Sequence, residues 1–305
     1  MNIIEISGLD KSYGDITALD GLDLSVRKGE IYGFLGPNGA GKTTTIKAIM
    51  GLIKPDRGDI TVNGMDVRKE GIEIRKSLGY LPETLSFYDR LTIEENLRFF
   101  SKIKGASSDD VVDMLTDFGL ADRVNSKVGT LSKGMVQRLG LIQTLIGDPP
   151  ILILDEPTSG LDPEIRRWVK DKILELKRMN KTIFLSSHVL AEVQQMCDRV
   201  GIISRGRAIR EDEVEALQEE LRLNPRLTLL LPHGESIDDA VVELDELDFV
   251  YRPRKEGGKL VLYCDERKKI DVIKYLLDAG YDIEDFDVEE PDLEEMFVKI
   301  MEGDK

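Results

Sequence analysis

From Ile3 to Glu30 apolar and polar positions alternate and are interrupted by glycine-bearing turns. This pattern predicts a small antiparallel sheet, with a hairpin at Tyr13-Gly14-Asp15 and another turn between Val26 and Gly29. Ile60-Thr61-Val62-Asn63-Gly64 continues the same alternation. The rhythm differs at Glu30 to Leu35 and at Ile151 to Leu154, which are nearly unbroken apolar runs of the kind that form strands buried on both faces of a parallel sheet. Thr182 to Leu185 and Val200 to Ser204 add two more strands, and a helical pattern from Glu164 to Met179 separates them from the Ile151 run. Alternating strands and helices of this kind predict a parallel α/β core. From Thr92 to Leu120 apolar residues recur at helical spacing, and Thr92 with Glu95 forms a capping box. The region of about 90–148 therefore reads as a helical subdomain ending in a helix near Ile146.

The last third has its own order. Leu227 to Leu231 predicts a strand, Ile237 to Leu244 a helix, and Phe249 to Arg252 and Leu260 to Tyr263 two strands around Lys255-Glu256-Gly257-Gly258. Ile270 to Leu277 follows as a helix and Ile283 to Val288 as a strand, giving the β-α-β-β-α-β order of a ferredoxin-like domain. A final helix from Asp292 to Met301 sets Leu293, Met296, Phe297 and Ile300 on one face.

Charge separates the same two regions. The chain holds 58 acids and 42 bases, net −16, and 29 of the acids against 12 of the bases lie from Glu211 onward. Met1 to Arg210 is close to neutral, so a domain boundary falls near Arg210, with domains at 1–210 and 211–305. The acidic third reads as a solvated face rather than a docking patch, and it would repel nucleic-acid phosphates. No stretch reaches the roughly 20 apolar residues of a membrane span. Met1-Asn2-Ile3-Ile4-Glu5 is no signal peptide, so a cytosolic chain is expected. Cys197 and Cys264 have no metal-ligand spacing and read as packed thiols.

The candidate chemistry begins at Gly36-Pro37-Asn38-Gly39-Ala40-Gly41-Lys42-Thr43, preceded by an apolar strand and opening a helix through Thr44 to Met50. Glycines there let successive backbone amides converge on phosphate oxygens, and the helix N-terminus adds partial positive charge. In such a loop Lys42 reaches the β- and γ-phosphates of ATP or GTP and the Thr43 hydroxyl ligates Mg²⁺. The Ile151 run ends in Asp155-Glu156. At the carboxyl end of a buried strand, Asp155 is expected to hold Mg²⁺, directly or through water, and Glu156 to polarise the attacking water.

Leu131-Ser132-Lys133-Gly134-Met135-Val136-Gln137-Arg138 leads into a helical segment whose first turn offers a hydroxyl and free amides. Here the chain resembles the ATP-binding-cassette (ABC) ATPases, from about Ile4 to Arg210. The resemblance implies a RecA-like parallel α/β core with an N-terminal antiparallel β subdomain and a helical subdomain, followed by the C-terminal α+β ferredoxin-like domain. It makes Gly36 to Thr43 the Walker A loop, with Thr44 beside it, and Asp155 and Glu156 the Walker B acid and catalytic glutamate. It makes Tyr13 the aromatic that stacks on adenine and His188 the histidine that contacts the γ-phosphate. Ser159-Gly160-Leu161-Asp162 is similar to the loop that couples two active sites across a dimer. Ser132 and Gly134 match the signature loop that contacts ATP held by the opposite subunit.

Two segments depart from the family pattern. Glu83, in Gly79-Tyr80-Leu81-Pro82-Glu83, stands where a glutamine usually meets Mg²⁺, so metal affinity or coupling is expected to differ. Lys133 and Met135 replace a glycine and a glutamine of the signature loop. The ending Pro291-Asp292-Leu293-Glu294-Glu295-Met296-Phe297 resembles subunits that pair with separately encoded permeases, many of them exporters. The resemblance therefore implies an ATP-hydrolysing subunit of a transporter, an exporter, that dimerises around two Mg·ATP and energises a multi-span permease. Such a subunit sits on the cytoplasmic face of the membrane, with contact surface around Leu97 to Lys104. The alternatives are a soluble cassette ATPase acting on DNA or the ribosome, and a nucleotide-binding regulator without turnover.

Overall fold

The computed structural model describes residues 1–107, 110–220, 225–232 and 236–289. The chain divides into two compact units, Met1–Val214 and Glu215–Lys305. In unit 1 a hairpin of β1 (Asn2–Tyr13) and β2 (Ile16–Arg27) precedes β3 (Ile31–Leu35), which feeds α1 (Lys42–Ile49). β4 (Arg57–Val62), β5 (Met65–Asp66), α2 (Val67–Ser77) and β6 (Leu78–Leu81) follow. Then come α3 (Ile93–Lys104), α4 (Asp110–Asp117) and α5 (Lys133–Leu145). The unit continues with β7 (Ile151–Asp155), α6 (Pro163–Arg178), β8 (Thr182–Ser187), α7 (Leu190–Met196), β9 (Arg199–Ser204) and β10 (Arg207–Glu213).

These strands form two sheets. One is antiparallel, in the order β2-β1-β4-β5; the other runs β10-β9-β3-β8-β7-β6 and is parallel except for β10. Every residue of β3, β7, β8 and β9 is buried, which explains why their sequences do not alternate. One apolar cluster, including Leu9, Leu22, Ile46, Ile60, Ile153 and Phe184, joins both sheets to α1. Within it the Tyr32 and Phe184 rings stack 5.7 Å apart, interplanar angle 12°. Register fixes where the loops emerge: Leu35 lies opposite Ser187, and Asp155 opposite Ser186. The segments after β3, β7 and β8 therefore all leave at the carboxyl ends of these parallel strands.

Helix α3 starts where the pattern places it. The Thr92 hydroxyl accepts from the Glu95 amide (3.1 Å) and the Glu95 carboxylate accepts from the Thr92 amide (2.8 Å), closing the capping box. Phe87, Tyr88, Phe99 and Phe100 meet edge to face beside it, and Tyr88, Phe99 and Ile103 remain exposed. Helix α2 has no counterpart in the sequence reading. It buries little beyond Val67 and Ile74 and is kinked at Glu70, next to Gly71, so its periodicity is weak. Asp66 caps it by accepting from the Arg68 amide (2.9 Å).

Helix α8 (Val214–Glu220) begins at the division between the units. Unit 2 then contains β11 (Arg226–Leu230), α9 (Ile237–Asp245), β12 (Val250–Glu256), β13 (Lys259–Cys264), α10 (Lys269–Asp278) and β14 (Asp285–Glu289). Its sheet order is β12-β13-β11-β14, with every neighbouring pair antiparallel, which is the ferredoxin-like arrangement. Leu227 and Leu229 of β11, Leu260 and Leu262 of β13, Leu244 of α9 and Leu276 of α10 share its core. The helix expected from Asp292 to Met301 lies outside the described residues.

Candidate active site

The turn from β3 into α1 is built around a backbone that side chains resist. Gly41 has φ +115°, and a Cβ there would meet the Ala18 carbonyl oxygen at 2.7 Å. That conformation lets the loop fold onto the start of α1, whose first amides have no partner within the helix. Ile16, Thr17, Ala18, Pro37, Asn38, Gly39, Gly41, Lys42, Thr43, Thr44, Glu83 and Glu156 line a cleft of about 380 Å³ here. Gly36 and Ala40 lie behind it, both buried.

Lys42 is only 7% exposed, and its ammonium donates to the Gly36 carbonyl (2.6 Å) and the Pro37 carbonyl (3.4 Å). It also lies 3.2 Å from Glu156 Oε1. The other Glu156 oxygen, Oε2, is 2.7 Å from His188 Nδ1. One carboxylate thus joins the phosphate-loop lysine to the histidine that follows β8. Glu156 reaches this position through a left-handed backbone, φ 50°, unusual for a side-chain-bearing residue. Its amide donates to the Ser186 hydroxyl (3.0 Å), which holds the turn in place.

Asp155 lies one residue earlier and deeper. The Ser186 hydroxyl donates to its Oδ1 (2.6 Å), and the Thr43 hydroxyl lies 3.4 Å from its Oδ2. Burial pushes the Asp155 carboxyl above the usual range and the neighbouring Glu156 charge adds to this, against the pull of Ser186, Thr43 and Lys42. Burial, with the charges of Asp155 and Glu83, also pushes the Tyr80 hydroxyl up to about 12. The local field therefore favours an added cation. Thr43, Asp155 and Glu83 are hard oxygen donors suited to Mg²⁺. Among the described residues no group of three or more His, Cys, Asp and Glu side chains is arranged to hold a metal by itself.

The remaining expected residues lie elsewhere. Tyr13 ends β1, 49% exposed, with the Lys11 ammonium 5.3 Å from its ring centroid, and it is not among the cleft-lining residues. The cleft wall on that side comes from Ile16, Thr17 and Ala18, which the sequence reading did not single out. Ser132 caps α5, its hydroxyl accepting from the Met135 amide (3.3 Å), and Gly134 packs in the first turn of that helix. Asp162 precedes Pro163 as the residue that begins α6. Neither Ser132, Gly134 nor Asp162 lines the cleft of its own chain. Ser186, which bonds both Asp155 and Glu156, was missed as a site residue. The available signal was a pair of serines ending an otherwise apolar strand.

Residues 19–159 match the family model described as ABC transporter. Over 315 aligned residues the chain is 38% identical to the bacitracin transport ATP-binding protein BcrA of Bacillus licheniformis, covering 99% of this chain and 98% of the relative. It is 40% identical over 220 residues to the Nod factor export ATP-binding protein I of Burkholderia orbicola (strain AU 1054), covering 71% and 72%. A solved dimeric ATP-binding cassette, MJ0796, in a post-hydrolysis state with ADP and Pi, superposes with a TM-score of 0.64 at 25% identity. The match covers 69% of this chain and 98% of that one. No helix among the described residues is long and apolar enough to cross a membrane.

Proposed function

The chain belongs to the ABC transporter family of ATP-binding proteins, and from that membership we propose that it hydrolyses ATP to drive export through a separately encoded membrane permease. Family membership implies ATP hydrolysis, and the relatives named above are transport and export proteins rather than DNA or ribosome factors. The observation that carries the proposal is the array Lys42–Glu156–His188 beside the phosphate loop, with Asp155 buried at the preceding position.

In this reading the loop amides and Lys42 bind the phosphates of ATP. Arriving phosphate oxygens replace Glu156 as the partner of Lys42, which frees the carboxylate to accept a proton from the attacking water. His188 remains within hydrogen-bond reach of Glu156 and faces the same region. Thr43, Asp155 and Glu83 would hold Mg²⁺, which when bound neutralises charge on the transferring phosphate. Ser132 and Gly134 do not line their own cleft, so they are available to a second copy. A dimeric cassette among the solved relatives supports pairing of two subunits around two nucleotides. The exposed aromatics Tyr88 and Phe99, with Ile103, supply an apolar surface for the permease, which would hold this subunit on the cytoplasmic face of the membrane.

Glu156→Gln is the test. It removes the base and the ion-pair partner of Lys42 together but leaves the cation for phosphate. Phosphate release should fall by about a hundredfold or more while ATP is retained and light scattering reports an arrested dimer. Undiminished turnover, or a variant that remains monomeric with ATP, overturns the mechanism. Purification of a tagged copy from gently solubilised membranes should recover a multi-span permease; recovery on ribosomes or DNA instead would overturn the transporter assignment.

A further inference from the structure

The turn after Glu156 is tied to helix α5 by two side chains. The Lys133 ammonium donates to the Gly160 carbonyl and the Gln137 side-chain amide to the Pro157 carbonyl, each at 2.6 Å. Lys133 and Gln137 are four residues apart on α5 and so share one face of it. That face is held close to the start of α6, since a Cβ on Gly134 would meet Ile165 side-chain carbons at 2.8 and 2.9 Å. The tied segment adjoins the carboxylate directly. The Ser159 amide donates to the Glu156 carbonyl (3.1 Å), and Glu156 itself has the left-handed backbone that aims its side chain at Lys42 and His188.

Lys133 is otherwise badly placed. As the first residue of α5 it puts a cation at the positive end of the helix dipole, an arrangement that opposes helix stability. A carbonyl acceptor offsets that through a charge-assisted bond. A glycine, which the resembled signature loop has at this position, could make no such bond.

We propose that Lys133 and Gln137 are positioning residues for Glu156, fixing the segment 157–160 to α5 so that the placement of this helix sets the placement of the carboxylate. The proposal rests on the reading of Glu156 as the group that activates water. It concerns contacts within one chain and so acts whether or not Ser132 reaches a partner's nucleotide.

The test uses the full-length chain, with kcat, KM and Mg·ATP affinity measured for Lys133→Ala, Gln137→Ala, Lys133→Arg and Glu156→Gln. Lys133→Ala and Gln137→Ala should each lower kcat by about three- to tenfold, the scale of one hydrogen bond, with KM and ATP affinity nearly unchanged. Lys133→Arg keeps a cation within reach of the Gly160 carbonyl and should recover most of the loss. A merely structural role would not separate kcat from KM or respond to arginine in this way. If Lys133→Ala fails to fold, Gln137→Ala and Lys133→Arg carry the same comparison. Unchanged kcat in both alanine variants overturns the proposal. So does a raised KM with kcat preserved, which would put Lys133 on bound nucleotide instead. Turnover retained by Glu156→Gln removes the premise, a failure distinguishable from that of the tethers.

Discussion

The two units both layer helices on sheets, yet their interiors differ in kind. Unit 1 buries Lys42, Asp155, Ser186 and Ser187 at the cleft, and Glu30 with Arg199 (3.0 Å apart) away from it. Among the described residues, every buried polar or charged side chain belongs to unit 1. The core of unit 2 is apolar, with its charges on the outside although it contains most of the chain's excess acid. Burying polar groups costs free energy unless each is paired. Unit 1 carries such groups both around Lys42 and Asp155 and elsewhere, and the described residues of unit 2 include none. The candidate chemistry therefore lies in unit 1, and the core of unit 2 is held by apolar packing.

The largest expected effect that tests this contrast comes from Lys42→Ala. It deletes the buried cation proposed to bind the phosphates and leaves Glu156 without its ion-pair partner. Without that cation the phosphates lose a charge-assisted partner, so ATP affinity measured by calorimetry should fall by roughly a hundredfold or more. Affinity within threefold of the parent would break the assignment of the cleft. Next in size is Leu262→Ala in the centre of the unit 2 sheet. It should destabilise that unit by about 2–5 kcal/mol, seen as loss of its own melting transition. ATP turnover per folded chain should change by less than about twofold, as expected of two units whose stabilities are independent. Turnover that falls together with unit 2 would remove the separation between the units.

The smallest effect is a pH dependence in unit 1. Because burial raises the Asp155 pKa, the folded ligand-free chain holds that proton more tightly than the unfolded chain. The resulting stability is full below the unfolded value and is lost as pH rises through the raised folded value. Asp155→Asn removes the titration. It should melt above the parent at pH 8, with the gap closing as pH is lowered into the ordinary carboxylate range. A gap that widens on acidification would show that the Asp155 charge is compensated in the ligand-free chain.

What could be read in advance follows the range of the interaction. The phosphate loop was legible because strand, glycines, lysine and helix are contiguous, and the ferredoxin-like order because each of its elements has its own period. The capping box of Thr92 and Glu95 is equally local. Ser186 was not legible, since its role depends on the β7–β8 register that sets it opposite Asp155. The left-handed turn at Glu156 left no local mark, because glutamate is not a residue that favours positive φ. Lys133 was visible as a departure from the signature pattern, but its acceptor, Gly160, lies on a separate loop. Tyr13 was named by its residue type, whereas Ile16, Thr17 and Ala18, which line the cleft, carry no chemical mark that would single them out.

The position of β3 also bears on how the molecule is made. This strand is synthesised early, but its neighbours in the sheet are β8 and β9: Ile31 pairs with Ile183, and Tyr32 with Arg199. A ribosome adding about 5–20 residues per second needs on the order of ten seconds to traverse that interval. During that time the strand Ile31–Leu35, wholly buried in the finished protein, has neither of its partners. Unit 2 requires no such wait, since β11 finds β13 and β14 within a short length of chain. During translation the nucleotide domain therefore leaves an apolar strand without its partners for longer than unit 2 does.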